Sequence, residues 1–123
     1  MPTIDGIINF HKPVGITSAK ALYRVRAISG MRKSGHTGTL DPAASGVLVL
    51  CVGKATKLVE RVMGLPKVYR ATARLDVTST SFDSDRPLQP VEVNAIPAMH
   101  DVATAPARFE GEIEQLPPAV SAL

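Results

Sequence analysis

The uninterrupted apolar run from Val47 to Val52 (VLVLCV) constrains the fold of this chain more than any other stretch. Six apolar residues in a row, rich in β-branched side chains, indicate a strand that needs cover on both of its faces. A polar, Gly-rich stretch, GHTGTLDP, precedes it and belongs to a segment over residues 31–42 that shows no hydrophobic period and predicts a loop. The rest of the chain must therefore supply the layers that cover this strand.

The segments on either side of the run predict a mixture of strands and helices. Gly6 to Phe10 is a short apolar stretch that predicts a strand. Thr17 and Ser18 are residue types that cap helix N-termini, apolar residues follow at helical spacing, and Gly30 stands where a C-cap glycine is expected. Lys54 to Met63 predicts a short helix that ends at the next glycine.

The second half of the chain carries weaker signals of the same mixed kind. Lys67 to Val77 alternates between apolar and polar residues, which predicts a half-buried strand. Thr78 to Pro90 predicts a polar loop, and residues 94–110 predict a helix of limited extent, with Pro97 suited to its first turn. The closing GEIEQLPPAVSAL stretch predicts one more short strand. These elements give an α/β or α+β class.

Composition favours one globular domain of modest core, since 45% of the 123 residues are hydrophobic and 20% are charged. No stretch approaches the roughly 20 apolar residues of a membrane span, and the start of the chain lacks the pattern of a signal peptide. The single cysteine, Cys51, lies inside the apolar run, which favours a buried thiol over a catalytic nucleophile. A reducing, cytoplasmic location is expected.

Charge is distributed unevenly along the chain. Residues 1–74 carry 12 of the 14 Lys and Arg with only three acids, a net charge of +9, whereas residues 75–123 carry two arginines and eight acids, a net charge of −6. A basic N-terminal portion favours a polyanionic partner such as RNA, although a solvated basic face is the commoner meaning of such a pattern. By charge alone, the plausible phosphate contacts are Arg24, Arg26, Arg32 and Lys33.

Most catalytic motifs are not satisfied, and one carboxylate remains of interest. GKAT at residues 53–56 lacks the glycine spacing of a phosphate-binding P-loop, and there is no Cys/His cluster of the zinc-binding kind. Asp41 is held between a leucine and a proline, which restrict its backbone. An ionised carboxylate there can act as a nucleophile or a base, but it can equally cap the following turn, which local chemistry alone favours.

Four blocks together resemble the TruB family of tRNA pseudouridine synthases. They are KPVGITS (residues 12–18), GHTGTLDPAASGVLVLCVGKATKL (35–58), KVYRATARL (67–75) and GEIEQLPPAVSAL (111–123), and the similarity extends over residues 6–123. The resemblance implies a pseudouridine-synthase-like fold with a mixed, mainly antiparallel sheet and flanking helices. It also implies that residues 1–123 are the N-terminal portion of a catalytic domain, incomplete without the C-terminal half and any RNA-binding tail domain.

The resemblance implies a tRNA pseudouridine-55 synthase in which Asp41 is the catalytic carboxylate. In the family, a flipped-out T-loop uridine of tRNA loses its N-glycosidic bond, turns, and bonds to the ribose through C5. Nothing is oxidised and no group is donated, so no cofactor and no metal are expected. Whether the aspartate attacks the sugar or acts as a base remains open, and the partner is the T-arm of a tRNA.

The same resemblance implies further site residues. His36 matches the histidine that supports the flipped-out base, and Tyr69 matches the tyrosine that stacks on it, with a core tyrosine as the alternative. Thr37 and Gly38 lie in the same loop and are expected to bind substrate. Lys12 matches the lysine of a Lys-Pro turn that supports the active-site loop, in a structural or an RNA-side role.

The sequence departs from the family pattern in places, and the first of these departures leads to an alternative function. In the family, a later strand supplies an arginine that pairs with the catalytic aspartate, and the sequence has no block of that kind. The acidic pattern after the tyrosine strand is also altered, with Thr80 in the place of its first acid. The alternative is an RNA-binding remnant without turnover, or a half-domain that needs a partner fragment.

Overall fold

The computed structural model describes residues 4–120, and these divide into two compact units. The first unit is described from residue 4 to residue 70, and the second comprises residues 71–120. The first contains most of the regular structure, in the order β1 (Gly6–Lys12), α1 (Ser18–Ser29), β2 (Ser34–His36), β3 (Gly46–Val52), a 3-10 helix (Gly53–Leu58) and α2 (Val59–Met63).

The apolar run forms the central strand of a three-stranded antiparallel sheet, in the order β1-β3-β2. β1 pairs with β3 along its whole length, from Gly6 opposite Val52 to Lys12 opposite Gly46. One face of the sheet packs against α1, because the core joins residues of both strands to residues of the helix. That core comprises Ile16, Ala21, Leu22, Leu48 and Leu50, with Ile8, Phe10, Val25 and Leu40 packed against it.

The helix α1 has the ends that the sequence predicts. Thr17 is the N-cap, and its Oγ1 accepts a hydrogen bond from the Lys20 N–H at 3.1 Å. Gly30 adopts the left-handed conformation, with φ of 70°, and its N–H donates to the Arg26 carbonyl at 2.9 Å. Both caps depend on hydrogen bonds between residues three or four positions apart, so the sequence alone could predict them.

Three expectations for the first unit need correction. The segment 31–42 is not all loop, because Ser34–His36 pairs with β3 as a strand too short to show a period. The predicted helix over 54–63 is helical, but its first part is a 3-10 helix. β3 is not covered on both faces along its whole length, since Val47 is 63% exposed at its start and burial becomes continuous only from Leu50.

The second unit has little regular structure. Two strands of two residues each, β4 (Val77–Thr78) and β5 (Gln89–Pro90), pair antiparallel. A short helix, α3 (Met99–Thr104), continues into a 3-10 helix over Ala105–Phe109. The buried residues of this unit are polar, namely Ser79 and Ser81. Residues 87–117 are all exposed.

The strand predicted over Lys67 to Val77 is wrong, as only Val77 belongs to a strand and residues 67–76 are exposed. The alternation is present, but among residues 4–120 no strand lies beside this segment to take up its backbone hydrogen bonds. The helix predicted over 94–110 begins only at Met99, so Pro97 precedes it. No strand forms between residues 111 and 120, and residues 121–123 of that predicted strand lie outside the described residues.

The predicted class is confirmed, because the chain mixes helices with strands and every strand pairing in the described residues is antiparallel. Cys51 is fully buried, and burial raises the pKa of its thiol, as expected for a packed cysteine. Within residues 4–120, no helix has the length and apolar character needed to cross a bilayer.

The candidate active site

Asp41 lies on the loop between β2 and β3, with its carboxylate in solvent. The side chain is exposed and takes part in no hydrogen bond or ion pair with another residue between 4 and 120. The turn that follows is closed by main-chain atoms, since the Asp41 carbonyl accepts from the Ala44 N–H at 3.0 Å. The carboxylate therefore does not cap that turn and is free to act on a ligand.

The backbone on either side of Asp41 is fixed from the N-terminal side of α1. The Ser18 hydroxyl accepts from the Leu40 N–H at 2.9 Å and lies 3.2 Å from the Leu40 carbonyl, to which it donates. The Gly15 N–H donates to the Pro42 carbonyl at 2.7 Å. The Leu40 side chain packs against the core, so the reactive carboxylate sits between two anchored residues.

Lys12 supports the loop that makes these contacts. Its side chain is completely buried, and its Nζ donates to the Ile16 carbonyl at 2.7 Å and to the Pro13 carbonyl at 3.0 Å. A buried ammonium needs such acceptors to offset its lost hydration. In this conformation Lys12 has no surface with which to contact RNA, and its geometry is that of a structural residue.

A cavity of about 660 Å³ opens beside this loop, within the size range of small-ligand pockets. Its walls come from three stretches, residues 37–40, 44–49 and 65–70, together with Val62. Leu40 and Ala44 line it on either side of Asp41, whose own side chain is not part of the lining. Asp41 thus stands next to the cavity rather than inside it.

Tyr69 and Arg70 bring an aromatic ring and a positive charge to the cavity wall. Tyr69 is 69% exposed in this structure, and it lies on an irregular segment and not on the predicted strand. Lys67 also lines the cavity, but its Nζ donates to the carbonyls of Met63 and Leu65. Arg70 makes no ion pair with another described residue, so its charge is available to an anionic ligand.

Thr37 and Gly38 line the same cavity. The Thr37 N–H and Oγ1 both donate to the Val49 carbonyl, at 2.9 and 3.1 Å, which ties the loop to β3. Gly38 has a φ of 148°, a conformation that side-chain-bearing residues rarely adopt. Thr37 is buried with its hydroxyl already used, so its role in the loop is structural in this conformation.

His36 ends β2 opposite Leu50 and is half-buried. Its Nδ1 atom is buried and has no hydrogen-bond partner among residues 4–120. The cavity lining does not include His36, so the structure brings Thr37, Gly38 and Tyr69 together there but not His36. A ring nitrogen without a partner leaves His36 with unused hydrogen-bonding capacity one residue from the cavity wall.

The four basic residues singled out for RNA contacts differ in their surroundings. The Arg26 guanidinium donates to the Ser34 hydroxyl at 2.8 Å and the Ser34 carbonyl at 2.7 Å, and it lies 5.5 Å from the centre of the Tyr23 ring. It therefore ties α1 to β2. Exposed side chains without an ion pair to any described residue remain at Arg24, Arg32 and Lys33.

Sequence reasoning missed three residues at this site, namely Gly15, Ser18 and Arg70. Ser18 was predicted as a helix-capping type, yet Thr17 performs that function and Ser18 instead contacts a residue 22 positions away. Contacts of such separation leave no local pattern. The sole hint was that the KPVGITS and GHTGTLDP blocks resemble the same family, which gave no pairing between them.

Comparison with known proteins places the chain in a family. The sequence model of the "TruB family pseudouridylate synthase (N terminal domain)" matches residues 26–123. Among curated proteins, the chain is 45% identical over 121 residues to tRNA pseudouridine synthase B of Clostridium acetobutylicum and 46% identical over 121 residues to that of Burkholderia pseudomallei. These alignments cover 98% of the chain but only 41% and 39% of the two relatives.

A solved structure of an H/ACA RNP bound to a substrate RNA containing 2'-deoxyuridine is also similar, with 45% sequence identity. The match covers 46% of this chain and 18% of that one, with a TM-score of 0.44, so the likeness in shape is too limited to inform the fold. The family match stands on sequence, over most of the chain. The chain belongs to the TruB family of pseudouridylate synthases and corresponds to about two fifths of the length of its curated relatives, within the N-terminal domain.

Proposed function

We propose that the chain is the N-terminal portion of the catalytic domain of a tRNA pseudouridine-55 synthase, with Asp41 as the carboxylate that reacts with a T-loop uridine. The observation that carries the proposal is the setting of Asp41. Its carboxylate is exposed and unpaired among the described residues, while Leu40 and Pro42 on either side are anchored. A fixed backbone on both sides holds the carboxylate in one place, and its exposure leaves it accessible to a substrate.

In principle, a positioned carboxylate is the only reactive group that the protein must supply for this reaction. The bond between N1 of uracil and the ribose C1′ breaks, the base turns, and a bond forms between C5 and C1′. The proton on C5 is released and N1 gains one, so the product is an isomer of the substrate. Asp41 can act as a nucleophile at C1′ or as a base at the neighbouring ribose carbon, and both roles need the ionised form.

A uridine stacked in an RNA loop must leave the stack before the carboxylate reaches it. The cavity of about 660 Å³ beside Asp41 is large enough for a nucleoside, and the exposed ring of Tyr69 at its wall suits stacking on a flipped base. Arg70 suits a flanking phosphate, and His36, one residue from the cavity wall, is expected to support the flipped arrangement.

The experiment measures pseudouridine formation in a tRNA T-arm stem-loop transcript labelled with tritium at uridine C5, because bond formation at C5 releases the label. Asp41→Asn, which keeps size but removes the charge, is expected to abolish release. Asp76→Asn is the matched control, since Asp76 is an exposed aspartate paired with Arg74 in the second unit. If the wild-type chain releases tritium and Asp41→Asn releases it equally fast, the role of Asp41 is refuted.

A second function is favoured by one observation, namely that Asp41 has no cationic partner among residues 4–120. A chain that binds RNA through Arg24, Arg32 and Lys33 without turning it over would fit this arrangement. It would bind the T-arm transcript with an affinity that falls steeply with salt and would release no tritium. An affinity that does not change with salt would argue against phosphate contacts, both for a synthase and for an RNA-binding chain without turnover.

A further inference from the structure

Gly15, which precedes α1, and Ser18, the first residue of α1, contact the Asp41 loop at three backbone atoms. Two of these contacts belong to the Ser18 hydroxyl, which accepts from the Leu40 N–H and donates to the Leu40 carbonyl. The third runs from the Gly15 N–H to the Pro42 carbonyl. They lie on both sides of Asp41, so together they fix the direction in which its Cα–Cβ bond points.

Ser18 is the only side chain among these contacts, and its surroundings suit a fixed role. It is 2% exposed, so its hydroxyl does not compete for water, and it stands in the first turn of a helix whose N-cap is the neighbouring Thr17. A hydroxyl can donate one hydrogen bond and accept another. Here it donates to the carbonyl and accepts from the N–H of the same residue, Leu40, so it holds both groups in place. The Leu40 peptide groups then have one orientation instead of several.

We propose that Ser18 is a positioning residue for the Asp41 carboxylate, acting through Leu40. The inference rests on the proposed function, because it matters for catalysis only if Asp41 reacts. Ser18 is buried and separated from the cavity lining, so it contributes to the reaction without contacting RNA. Its loss is therefore expected to lower turnover while leaving RNA affinity unchanged.

The test compares Ser18→Ala with Thr17→Ala in the full chain. Thr17→Ala removes the N-cap of the same helix but none of the contacts to Leu40, so it controls for weakening of α1. Ser18→Ala is expected to lower kcat roughly 10- to 100-fold at an unchanged Kd for the T-arm transcript. Thr17→Ala is expected to keep the wild-type kcat at any temperature at which it is folded.

A rescue variant and an activity-independent measurement complete the design. Ser18→Thr keeps the hydroxyl and is expected to restore most of the turnover, and Ser18→Cys, a weaker donor and acceptor of similar size, replaces Ser18→Ala if that variant does not fold. Hydrogen exchange of the Leu40 amide, followed by NMR, reports the hydrogen bond to Ser18 directly. Its exchange is expected to accelerate in Ser18→Ala and to stay slow in Thr17→Ala.

The outcomes separate this inference from the proposed function. Equal kcat values for Ser18→Ala and Thr17→Ala, or a Leu40 amide that exchanges equally fast in both, would overturn the positioning role. A wild-type chain that forms no pseudouridine would overturn the proposed function for this chain and, with it, the catalytic part of the inference. The exchange of the Leu40 amide would then still decide whether Ser18 fixes the loop.

Discussion

At the scale of single residues, the surroundings of a carboxylate decide what it is available for. Asp41 is exposed and without a partner among the described residues. Asp76 is exposed as well, but the Arg74 guanidinium binds both of its oxygens, with Nε at 3.0 Å and Nη2 at 2.6 Å. Exposure alone does not distinguish the two aspartates. They differ in that both carboxylate oxygens of Asp76 accept hydrogen bonds from Arg74, whereas those of Asp41 accept none from a described residue.

The pair at Arg74 has a measurable consequence for titration. The hydrogen bond from Arg74 lowers the pKa of Asp76 below the usual range of an aspartate. Because the folded pKa is the lower one, any stability from the pair is present above about pH 4, the unfolded value, and is lost as the pH falls through the folded pKa. Full exposure keeps that stability small.

We therefore expect Arg74→Gln to raise the pKa of Asp76 towards its ordinary value with little change in Tm. An NMR titration of the Asp76 side-chain carboxyl measures the shift, and Arg70→Gln, which changes an arginine outside this pair, is the control. A pKa that is the same in the wild-type chain and Arg74→Gln would mean that the pair does not persist in solution.

At the scale of elements, the sequence predicted what local chemistry determines. Thr17 and Gly30 define α1 because an N-cap hydroxyl and a left-handed glycine act within one turn. The apolar run formed the central strand as expected. The strand predicted over 67–77 was wrong because it depended on distant parts of the chain. Alternation shows that a segment suits a sheet, but it does not show that a neighbouring strand is present.

Some candidate-site residues could be predicted from local motifs, and others could not because they depend on long-range contacts. Motif resemblance pointed to Asp41, and the structure shows its carboxylate free and its flanking backbone fixed. Ser18, Gly15 and Arg70 could not be found, because their roles depend on contacts between distant parts of the chain. Lys12 was assigned two possible roles, and only its burial separates them.

The junction between β3 and the 3-10 helix depends on a glycine. Gly53 has a φ of 61°, and a Cβ placed on it would lie 2.7 Å from the Ile4 carbonyl and closer still to the Asp5 carboxylate. That carboxylate accepts from the Lys54 N–H at 2.6 Å and closes the junction onto the start of β1. A side chain at residue 53 therefore introduces both backbone strain and a steric clash.

We expect Gly53→Ala to lower the free energy of unfolding by about 2 kcal/mol or more, from strain and displacement of Asp5 combined. Chemical denaturation measures the loss. The control is Gly6→Ala, because an added Cβ at Gly6 meets nothing within 4 Å and its backbone is that of an ordinary strand. Equal stabilities of the two variants would contradict the positive φ at Gly53.

At the scale of the whole molecule, the two units differ in how much they bury. The apolar core lies in the first unit, whereas large apolar side chains of the second, such as Ile96 and Leu116, are almost fully exposed. Segments with few buried contacts open at low free-energy cost. The second unit should therefore be much the easier to unfold locally.

Limited trypsin digestion followed by mass spectrometry tests this difference. The first cleavages are expected after Arg70, Arg74 and Arg108, which lie on exposed segments, and in the first unit after Arg32 and Lys33, which lie exposed between α1 and β2. Lys20 and Arg24 are exposed but helical, so cleavage after them should be slow. Cleavage within α1 as fast as cleavage after Arg74 would contradict the expected order, and the denatured chain provides the reference rates.

The contacts that anchor Asp41 also bear on how this protein can change over evolution. On the Asp41 side, all three involve main-chain atoms, the N–H and carbonyl of Leu40 and the carbonyl of Pro42. Surface loops ordinarily accept insertions and deletions. Here, one residue added or lost between positions 12 and 18, or between 37 and 42, would misalign the donors and acceptors whatever the side chains. Natural relatives should therefore keep the lengths of these two loops unchanged.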